Sequence, residues 1–216
     1  MTSTNRAAST SSAETNTDRT DTDRERNPGR SPFSRWQTSD ILISAVVGVL
    51  FGVVFIFWNN LWAATGPAFA GFPPSQAVIY GIWLVPGVLA PYLTRKAGSG
   101  LLAEIVAALV SVIAGGSWSG GAILLYGAAE GLMAEVGFAI VAYRIWKAWV
   151  PFLAGATAGI APAILDSALY YPTWAFGWQL TYGILVIVSS SIMCGVISVA
   201  LRKTLQASGA LPSRRV

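Results

Sequence analysis

The chain has 216 residues, of which 54% are hydrophobic and only 11% are charged. Soluble domains carry roughly a quarter charged residues, so this composition excludes a globular protein whose whole surface faces water. The chain contains no histidine, which excludes Ser-His-Asp triads and histidine-based zinc motifs. Its net charge is +4, but the basic residues form no continuous patch. The composition instead predicts an all-α integral membrane protein.

The first 34 residues are rich in Ser, Thr, Asp and Arg and contain almost no large apolar side chains. Such a segment cannot bury enough apolar surface to offset the entropy lost on ordering. We therefore expect a disordered cytoplasmic tail at residues 1–34. We expect a six-helix membrane domain at residues 35–203 and a second cytoplasmic tail at residues 204–216.

Six apolar segments follow this tail, and glycine, proline or charged residues separate them. An α-helix rises about 1.5 Å per residue, so about 20 residues cross a hydrocarbon core of about 30 Å. Pro86 and Pro162 fall inside two segments and predict kinks there. The sequence therefore predicts six transmembrane helices, at approximately residues 40–62, 75–94, 98–115, 120–143, 149–166 and 176–201.

Basic residues beyond the N-terminal tail fall into four clusters. These clusters are Arg35; Arg95 and Lys96; Arg144 and Lys147; and Arg202, Lys203, Arg214 and Arg215. Six spans place all four clusters on one side of the membrane, and the positive-inside rule makes that side cytoplasmic. We therefore expect a multi-pass protein of the cell membrane with both termini in the cytoplasm.

Small residues recur at every fourth position of the first predicted helix, at Ser44, Gly48 and Gly52. This spacing leaves a shallow groove in which a second helix can approach closely. The spacing alone leaves two alternatives open, namely another helix of this chain or a helix of an external partner.

Four carboxyl groups are predicted to lie within the membrane, at Glu104, Glu130, Glu135 and Asp166. A charge at mid-bilayer costs at least about 2.5–3.5 kcal/mol, and the predicted spans contain no Lys or Arg as a partner. These groups must be protonated, hydrogen-bonded, or turned toward a polar cavity or a cationic ligand. We favour a ligand or cavity for Glu130 and Glu135. Structural bonding or a partner contact is favoured for Glu104, and Asp166 remains open between these alternatives.

The end of the predicted bundle opposite the basic clusters is rich in aromatic and amide side chains. The candidate binding residues there are Trp58, Asn59, Asn60, Trp62, Trp118, Tyr126, Tyr170, Trp174 and Trp178, and Tyr171 lies in the same connection as the last three. An interfacial aromatic belt and a binding cup explain these residues equally well. A cup of flat rings, amides and a nearby carboxyl group suits a planar, nitrogen-rich molecule, including a cation.

The glycine-rich runs lack the Gly-Lys-Ser/Thr ending of a phosphate-binding P-loop, so ATP used in transport must be hydrolysed by another subunit. The single cysteine, Cys194, lies in an apolar run and is expected to be a buried packing residue. We expect no catalytic residue, no bound metal and no cofactor in this chain.

Three runs of the sequence resemble the YkoE family, namely IYGIWLVPGVLAPYLTRKAG, LLAEIVAALVSVIAGG and YGAAEGLMAEVGF. Members of this family are substrate-binding S components of energy-coupling-factor (ECF) importers, associated with thiamin or its hydroxymethylpyrimidine precursor. The matching landmarks are the basic turn at Arg95 and Lys96 and the Ala-Glu pairs that end at Glu104 and Glu135. The similarity covers approximately residues 35–203.

The resemblance implies a six-helix, S-component-like bundle without enzymatic activity and with an outward-facing pocket. It also implies that the first three helices dock on a transmembrane coupling (T) subunit, which two ATPase subunits drive. In that arrangement Ser44, Gly48 and Gly52 become a docking face, and Arg95 and Lys96 contribute to the cytoplasmic contact.

The run EGLMAE departs from the family, which usually has glutamine at the position of Glu130. The additional carboxyl group favours a cationic substrate or indicates a different vitamin. We predict a binder of thiamin or hydroxymethylpyrimidine that has no nucleic-acid partner. The alternatives are an S component for another vitamin and a self-sufficient secondary transporter or channel for a small organic solute. We do not favour an intramembrane enzyme, because the chain lacks histidine and a nucleophile motif.

Overall fold

The computed structural model describes residues 35–114 and 120–209 of the chain. These residues contain helices and no β-strand. The prediction of an all-α bundle of six transmembrane helices is confirmed. In chain order the six spans are Thr38–Thr65; Pro73–Leu84 with Val85–Thr94; Ser99–Ile113; Gly120–Ile140; Val150–Ala158 with Ile160–Leu169; and Phe176–Ala207, and a short 3₁₀-helix, Gly66–Phe69, follows the first span.

The spans differ in length. Five of the six are long and apolar enough to cross a membrane, and the third, Ser99–Ile113, is a shorter apolar helix of 15 residues. At about 1.5 Å per residue the third span is about 22 Å long, less than a hydrocarbon core of about 30 Å. The sixth span exceeds the predicted segment most, because its helix continues to Ala207.

The second span changes helix type along its length. Its first part, Pro73–Leu84, is a 3₁₀-helix of 12 residues, and its remainder, Val85–Thr94, is α-helical. Residues three apart lie on one face of a 3₁₀-helix, and runs longer than about four residues are uncommon. Tyr80 and Trp83 therefore face the same side of the span. Pro86 lies in the first turn of the α-helical part, where no N–H group is required for a helical hydrogen bond.

The fifth span is interrupted at Gly159, which separates Val150–Ala158 from Ile160–Leu169. The predicted kink is present, but the helix breaks at Gly159, three residues before Pro162. Proline has no N–H group, so Pro162 cannot donate a hydrogen bond to the carbonyl group four residues earlier. Gly159 also permits a close approach of the sixth span. A Cβ atom at this position would lie 2.9 Å from the Cα atom of Ile187.

The stripe of small residues at Ser44, Gly48 and Gly52 is buried. A Cβ atom on Gly48 would lie 2.6 Å from the backbone oxygen of Ala103 and 2.7 Å from the Cβ atom of Val106, both in the third span. Of the two alternatives that the spacing leaves open, the structure shows packing within the chain. This corrects the expectation of a docking face for another subunit, because the third span leaves no space there for a second protein.

The opposite face of the first span is apolar and exposed. Leu42 and Leu50 are each 61% exposed, and Phe57 is 72% exposed. Such side chains suit the hydrocarbon tails of a bilayer, because they contain no polar group that lipid would leave unsatisfied.

The two ends of the bundle differ in chemistry. We call one end the basic end, and it contains Arg35, Arg95, Lys96, Arg144, Lys147, Arg202 and Lys203. We call the opposite end the aromatic end, and it contains Trp62, Tyr170, Tyr171, Trp174 and Trp178.

Charged side chains at the basic end hold several spans together. Lys96 Nζ lies 4.0 Å from Asp40 Oδ2, which joins the start of the first span to the turn after the second. The guanidinium group of Arg202 lies over the ring of Tyr92, 4.3 Å from its centroid. Lys96 is only 2% exposed, which corrects the expectation that it belongs to a docking surface. Arg95 is partly exposed, and its part in docking stays a prediction.

We predict that Gly48→Ala destabilises the protein and that the matched variant Gly66→Ala does not, because no atom lies within 4 Å of a Cβ at Gly66. The added methyl group at Gly48 must displace atoms of the third span, and overpacking of this kind costs about 1–3 kcal/mol. Thermal unfolding in detergent, followed by tryptophan fluorescence, measures the difference. Equal melting temperatures of the two variants would contradict the packing described at Gly48.

Candidate functional site

A cavity of about 90 Å³ lies in the half of the bundle nearer the aromatic end. Its volume is several times what one water molecule requires. Side chains from all six spans form its wall, which combines aromatic rings with carboxyl groups. The lining residues are Phe55, Asn59, Trp62, Tyr80, Trp83, Glu104, Ala108, Ser111, Ile123, Tyr126, Gly127, Glu130, Asp166, Tyr170, Tyr171 and Tyr182.

Three carboxyl groups from three different spans face this cavity. Glu104, Glu130 and Asp166 are 1%, 5% and 4% exposed, respectively. Among the described residues that line the cavity, none is Lys or Arg. A buried carboxylate without a cation is costly, so hydrogen-bond donors of the protein or a cationic ligand must compensate.

Glu104 is bonded to the backbone of the second span. Its Oε1 atom accepts a hydrogen bond of 2.7 Å from the N–H group of Gly87. Only glycine permits this approach, because a Cβ atom on Gly87 would lie 2.8 Å from the same oxygen. The structural bond that the sequence favours for Glu104 is therefore present, and the residue also lines the cavity.

Asp166 accepts hydrogen bonds on both of its carboxylate oxygens. Tyr126 donates to Oδ1 at 2.6 Å, and Tyr182 donates to Oδ2 at 2.5 Å. These two bonds tie the end of the fifth span to the fourth and sixth spans.

Glu130 interacts electrostatically with both Glu104 and Asp166. The hydroxyl group of Tyr80, in the second span, lies near both Glu130 and Asp166 and can donate its single proton to only one of them at a time. An ionised carboxyl group offers about four lone-pair positions to donors. Glu130 therefore retains acceptor capacity toward the cavity.

Aromatic rings of the first and second spans form one side of the cavity. The ring centroids of Trp62 and Trp83 are 5.1 Å apart, and those of Tyr80 and Trp83 are 4.9 Å apart. The indole N–H of Trp83 donates to Oδ1 of Asn59 at 3.0 Å, which fixes the orientation of this amide. The result is a set of ring faces with one oriented amide beside them.

The connection between the fifth and sixth spans supplies further aromatic residues at the aromatic end. Tyr171 stacks on Trp174, and their ring centroids are 4.0 Å apart. Burial, together with the nearby Asp166 carboxyl group, raises the pKa of Tyr171 to about 12. The hydroxyl group of Tyr171 therefore stays protonated at neutral pH and remains a hydrogen-bond donor.

The structure brings together half of the predicted substrate-binding residues. Those that line the cavity are Asn59, Trp62, Tyr126, Glu130, Asp166 and Tyr170. Those that do not line it are Trp58, Asn60, Glu135, Trp174 and Trp178. Trp118 lies outside the described residues. Ligand contact by the six lining residues stays a prediction.

Hydrogen bonds explain why two neighbours of Asn59 point elsewhere. The indole N–H of Trp58 donates to the carbonyl oxygen of Ile79 at 3.0 Å. The amide of Asn60 donates to the carbonyl oxygen of Ile56 in its own helix at 2.7 Å, and this residue is exposed. Trp58 and Asn60 therefore lie outside the cavity wall, and contact of either residue with a ligand stays a prediction.

Glu135 lies toward the basic end, away from the cavity. Its Oε1 atom accepts a hydrogen bond of 2.7 Å from the N–H group of Gly100, in the first turn of the third span. Its Oε2 atom accepts a short hydrogen bond from the hydroxyl group of Tyr143. Glu135 therefore stabilises the positive end of a helix dipole and does not line the cavity, and its contact with a ligand stays a prediction.

Several lining residues were not predicted from the sequence. Tyr80 and Trp83 lie three apart in an apolar segment, and this spacing is the signal that could have identified them as one face. Tyr182 carries no such signal, because its contact with Asp166 depends on how the connection folds.

Comparisons with known proteins define the class. A family model described as the permease component of an ABC-type cobalt transport system matches residues 39–161. A solved structure, described as an S-component of an ECF transporter, superposes with a TM-score of 0.73 at 30% sequence identity. The match covers 81% of this chain and 88% of that chain. The chain is thus a multi-pass membrane S component of ECF transporters, a class of transport subunits and not of enzymes.

A curated relative narrows the class to a family. The chain is 30% identical to the putative HMP/thiamine permease protein YkoE of Bacillus subtilis (strain 168) over 179 residues. The match covers 82% of this chain and 87% of the relative. The chain therefore belongs to the YkoE family, as the sequence runs predict.

We predict that Glu135→Ala lowers the free energy of unfolding by about 1–3 kcal/mol, because the buried N–H group of Gly100 loses its acceptor and Tyr143 keeps only the backbone oxygen of residue 135. Glu135→Gln keeps one acceptor oxygen and is expected to lose less. Thermal unfolding in detergent compares both variants with the original protein. A Glu135→Ala variant as stable as the original would contradict the capping role.

Proposed function

We propose that this chain captures thiamin or its hydroxymethylpyrimidine (HMP) precursor from outside the cell, as the S component of an ATP-driven ECF importer. The observation that carries the proposal is the cavity, in which buried carboxyl groups face aromatic rings and none of the described lining residues is basic. The relative described as a putative HMP/thiamine permease supports the same substrates.

The cavity wall suits a flat nitrogen heterocycle. Trp62 and Trp83 offer ring faces on which a pyrimidine or thiazolium ring would stack. Glu130 would accept hydrogen bonds from the exocyclic amino group of the pyrimidine or meet a positive charge. Asn59, which Trp83 orients, would bind the edge of the ring.

A cationic ligand would also supply the positive charge that the described wall lacks. Thiamin carries a permanent charge on its thiazolium ring, whereas HMP carries none. Charge pairing is stronger in a site shielded from water than at an exposed surface. We therefore expect thiamin to bind more tightly than HMP.

Energy for uptake would come from partner subunits. The sequence has no P-loop, so ATP hydrolysis requires other chains. Membership of the S components supports a partnership with a transmembrane coupling subunit and two ATPase subunits. In this scheme the chain binds the vitamin, and the partners drive its release to the cytoplasm.

The orientation follows from the basic end. Lys and Arg concentrate on the cytoplasmic side of membrane proteins. We propose that the basic end, with both termini, lies in the cytoplasm and that the cavity opens toward the outside through the aromatic end.

Isothermal titration calorimetry of the detergent-purified protein tests the substrate. We expect submicromolar binding of thiamin and weaker binding of HMP, without any ATPase subunit present. Cobalt(II) is a third titrant, because the family description names cobalt. We expect it not to bind, since the described residues contain no group of three or more side chains suited to a metal ion.

Three outcomes of these measurements would contradict the proposal. Micromolar or weaker binding of both thiamin and HMP would exclude this substrate assignment. Tight binding of cobalt(II) would replace the vitamin with a metal. Uptake into liposomes without ATPase subunits would instead favour a self-sufficient transporter.

Cysteine labelling tests the orientation. The native Cys194 is completely buried, so it gives a low background with a membrane-impermeant maleimide. In intact cells we expect labelling of Thr173→Cys, in the exposed connection at the aromatic end, and not of Lys147→Cys, at the exposed basic end. Permeabilised cells should label both. The reverse pattern in intact cells would refute the proposed orientation.

A further inference from the structure

Asp166 is surrounded by hydroxyl donors. Tyr126 and Tyr182 each donate to one of its carboxylate oxygens, at 2.6 and 2.5 Å. Bonds of this length between hydroxyl groups and a carboxylate are among the strong hydrogen bonds of proteins. The donors come from the fourth and sixth spans, so one carboxyl group of the fifth span joins two other spans.

The same tyrosines form a connected part of the cavity wall. The ring of Tyr182 lies edge to face against Tyr80 at 6.4 Å and against Tyr171 at 5.1 Å. The ring of Tyr126 lies 6.2 Å from that of Tyr170. All five rings line the cavity. Loss of the shared acceptor would therefore shift several surfaces of the wall together.

Glu130 occupies a different environment. It is buried at the same cavity, and its neighbour Tyr80 has a single hydroxyl proton, which it can donate to Glu130 or to Asp166 but not to both. Its remaining acceptor positions are therefore better placed than those of Asp166 to meet donors of a ligand.

We propose that Asp166 is a positioning residue, which fixes Tyr126 and Tyr182 in the wall, and that Glu130 rather than Asp166 recognises the positive charge of the ligand. This inference rests on the proposed function, because it requires a cationic ligand in the cavity. It assigns separate roles to two carboxyl groups of one cavity, of which the sequence favours Glu130 for ligand contact and leaves Asp166 open.

Calorimetry with two ligands separates these roles. Thiamin is a permanent cation and HMP at mildly alkaline pH is neutral, so the ratio of their dissociation constants measures charge recognition. Glu130→Gln should weaken thiamin binding by about tenfold to a hundredfold, because a charge-assisted bond is lost, and should weaken HMP binding much less. Asp166→Asn should weaken both ligands by a similar factor and leave the ratio unchanged.

A conservative variant keeps the test independent of folding. Tyr126→Phe removes one hydrogen bond to Asp166 and keeps the ring. It should weaken both ligands, again without a change in the ratio. Combined with Asp166→Asn, its effect on affinity should be smaller than the sum of the two, because both changes remove the same bond. If Asp166→Asn does not fold, the ratio of the two dissociation constants is measured in Tyr126→Phe and Tyr182→Phe instead.

The outcomes are distinct. If the original protein binds neither compound, the proposed function fails, and this inference fails with it. If the original protein binds thiamin, the inference alone is overturned when Asp166→Asn or the tyrosine variants lower the ratio as Glu130→Gln does. Unchanged affinity for both ligands in Tyr126→Phe and Tyr182→Phe would overturn it as well.

Discussion

Carboxyl groups buried in a membrane bundle require hydrogen-bond donors when no basic side chain is near, and this requirement shapes the described part of the chain. Glu104 accepts a hydrogen bond from an N–H group of the second span, and Glu135 accepts one from an N–H group of the third span. Asp166 accepts hydrogen bonds from tyrosine hydroxyl groups of two other spans. Each bond crosses from one span to another. The acids therefore hold the bundle together, and three of the five carboxyl groups within the described spans, Glu104, Glu130 and Asp166, also face the cavity.

The spans were predictable because the bilayer is the dominant constraint. A hydrocarbon core demands runs of about 20 apolar residues, and glycine, proline and charge mark their ends. Helix type within a span was not predictable on this basis. Hydropathy alone does not distinguish the 3₁₀-helix Pro73–Leu84, or a span broken at Gly159, from a regular α-helix. Their geometry is decided by proline positions and by close contact with the sixth span.

The candidate site was predictable only in part, because the direction of a side chain depends on tertiary contacts. Composition places Trp58, Asn59 and Asn60 at one end of the bundle, but the hydrogen bonds of each residue decide which one meets the cavity. The rarity of intramembrane acids identifies Glu130 and Glu135 equally well. Only the approach of the third span distinguishes them, because the start of that helix provides an N–H donor to Glu135.

The first span shows how packing and binding depend on one helical face. Gly48 and Gly52 bring it against the third span, and Phe55, Asn59 and Trp62 continue at intervals of three or four residues on the same face. Close packing toward the basic end thus sets how far these three side chains extend into the cavity. A partner subunit that contacts this span must use its opposite, exposed apolar face. Contact there would change the cavity by moving this helix against the third span, because Gly48 and Gly52 pack closely on that span.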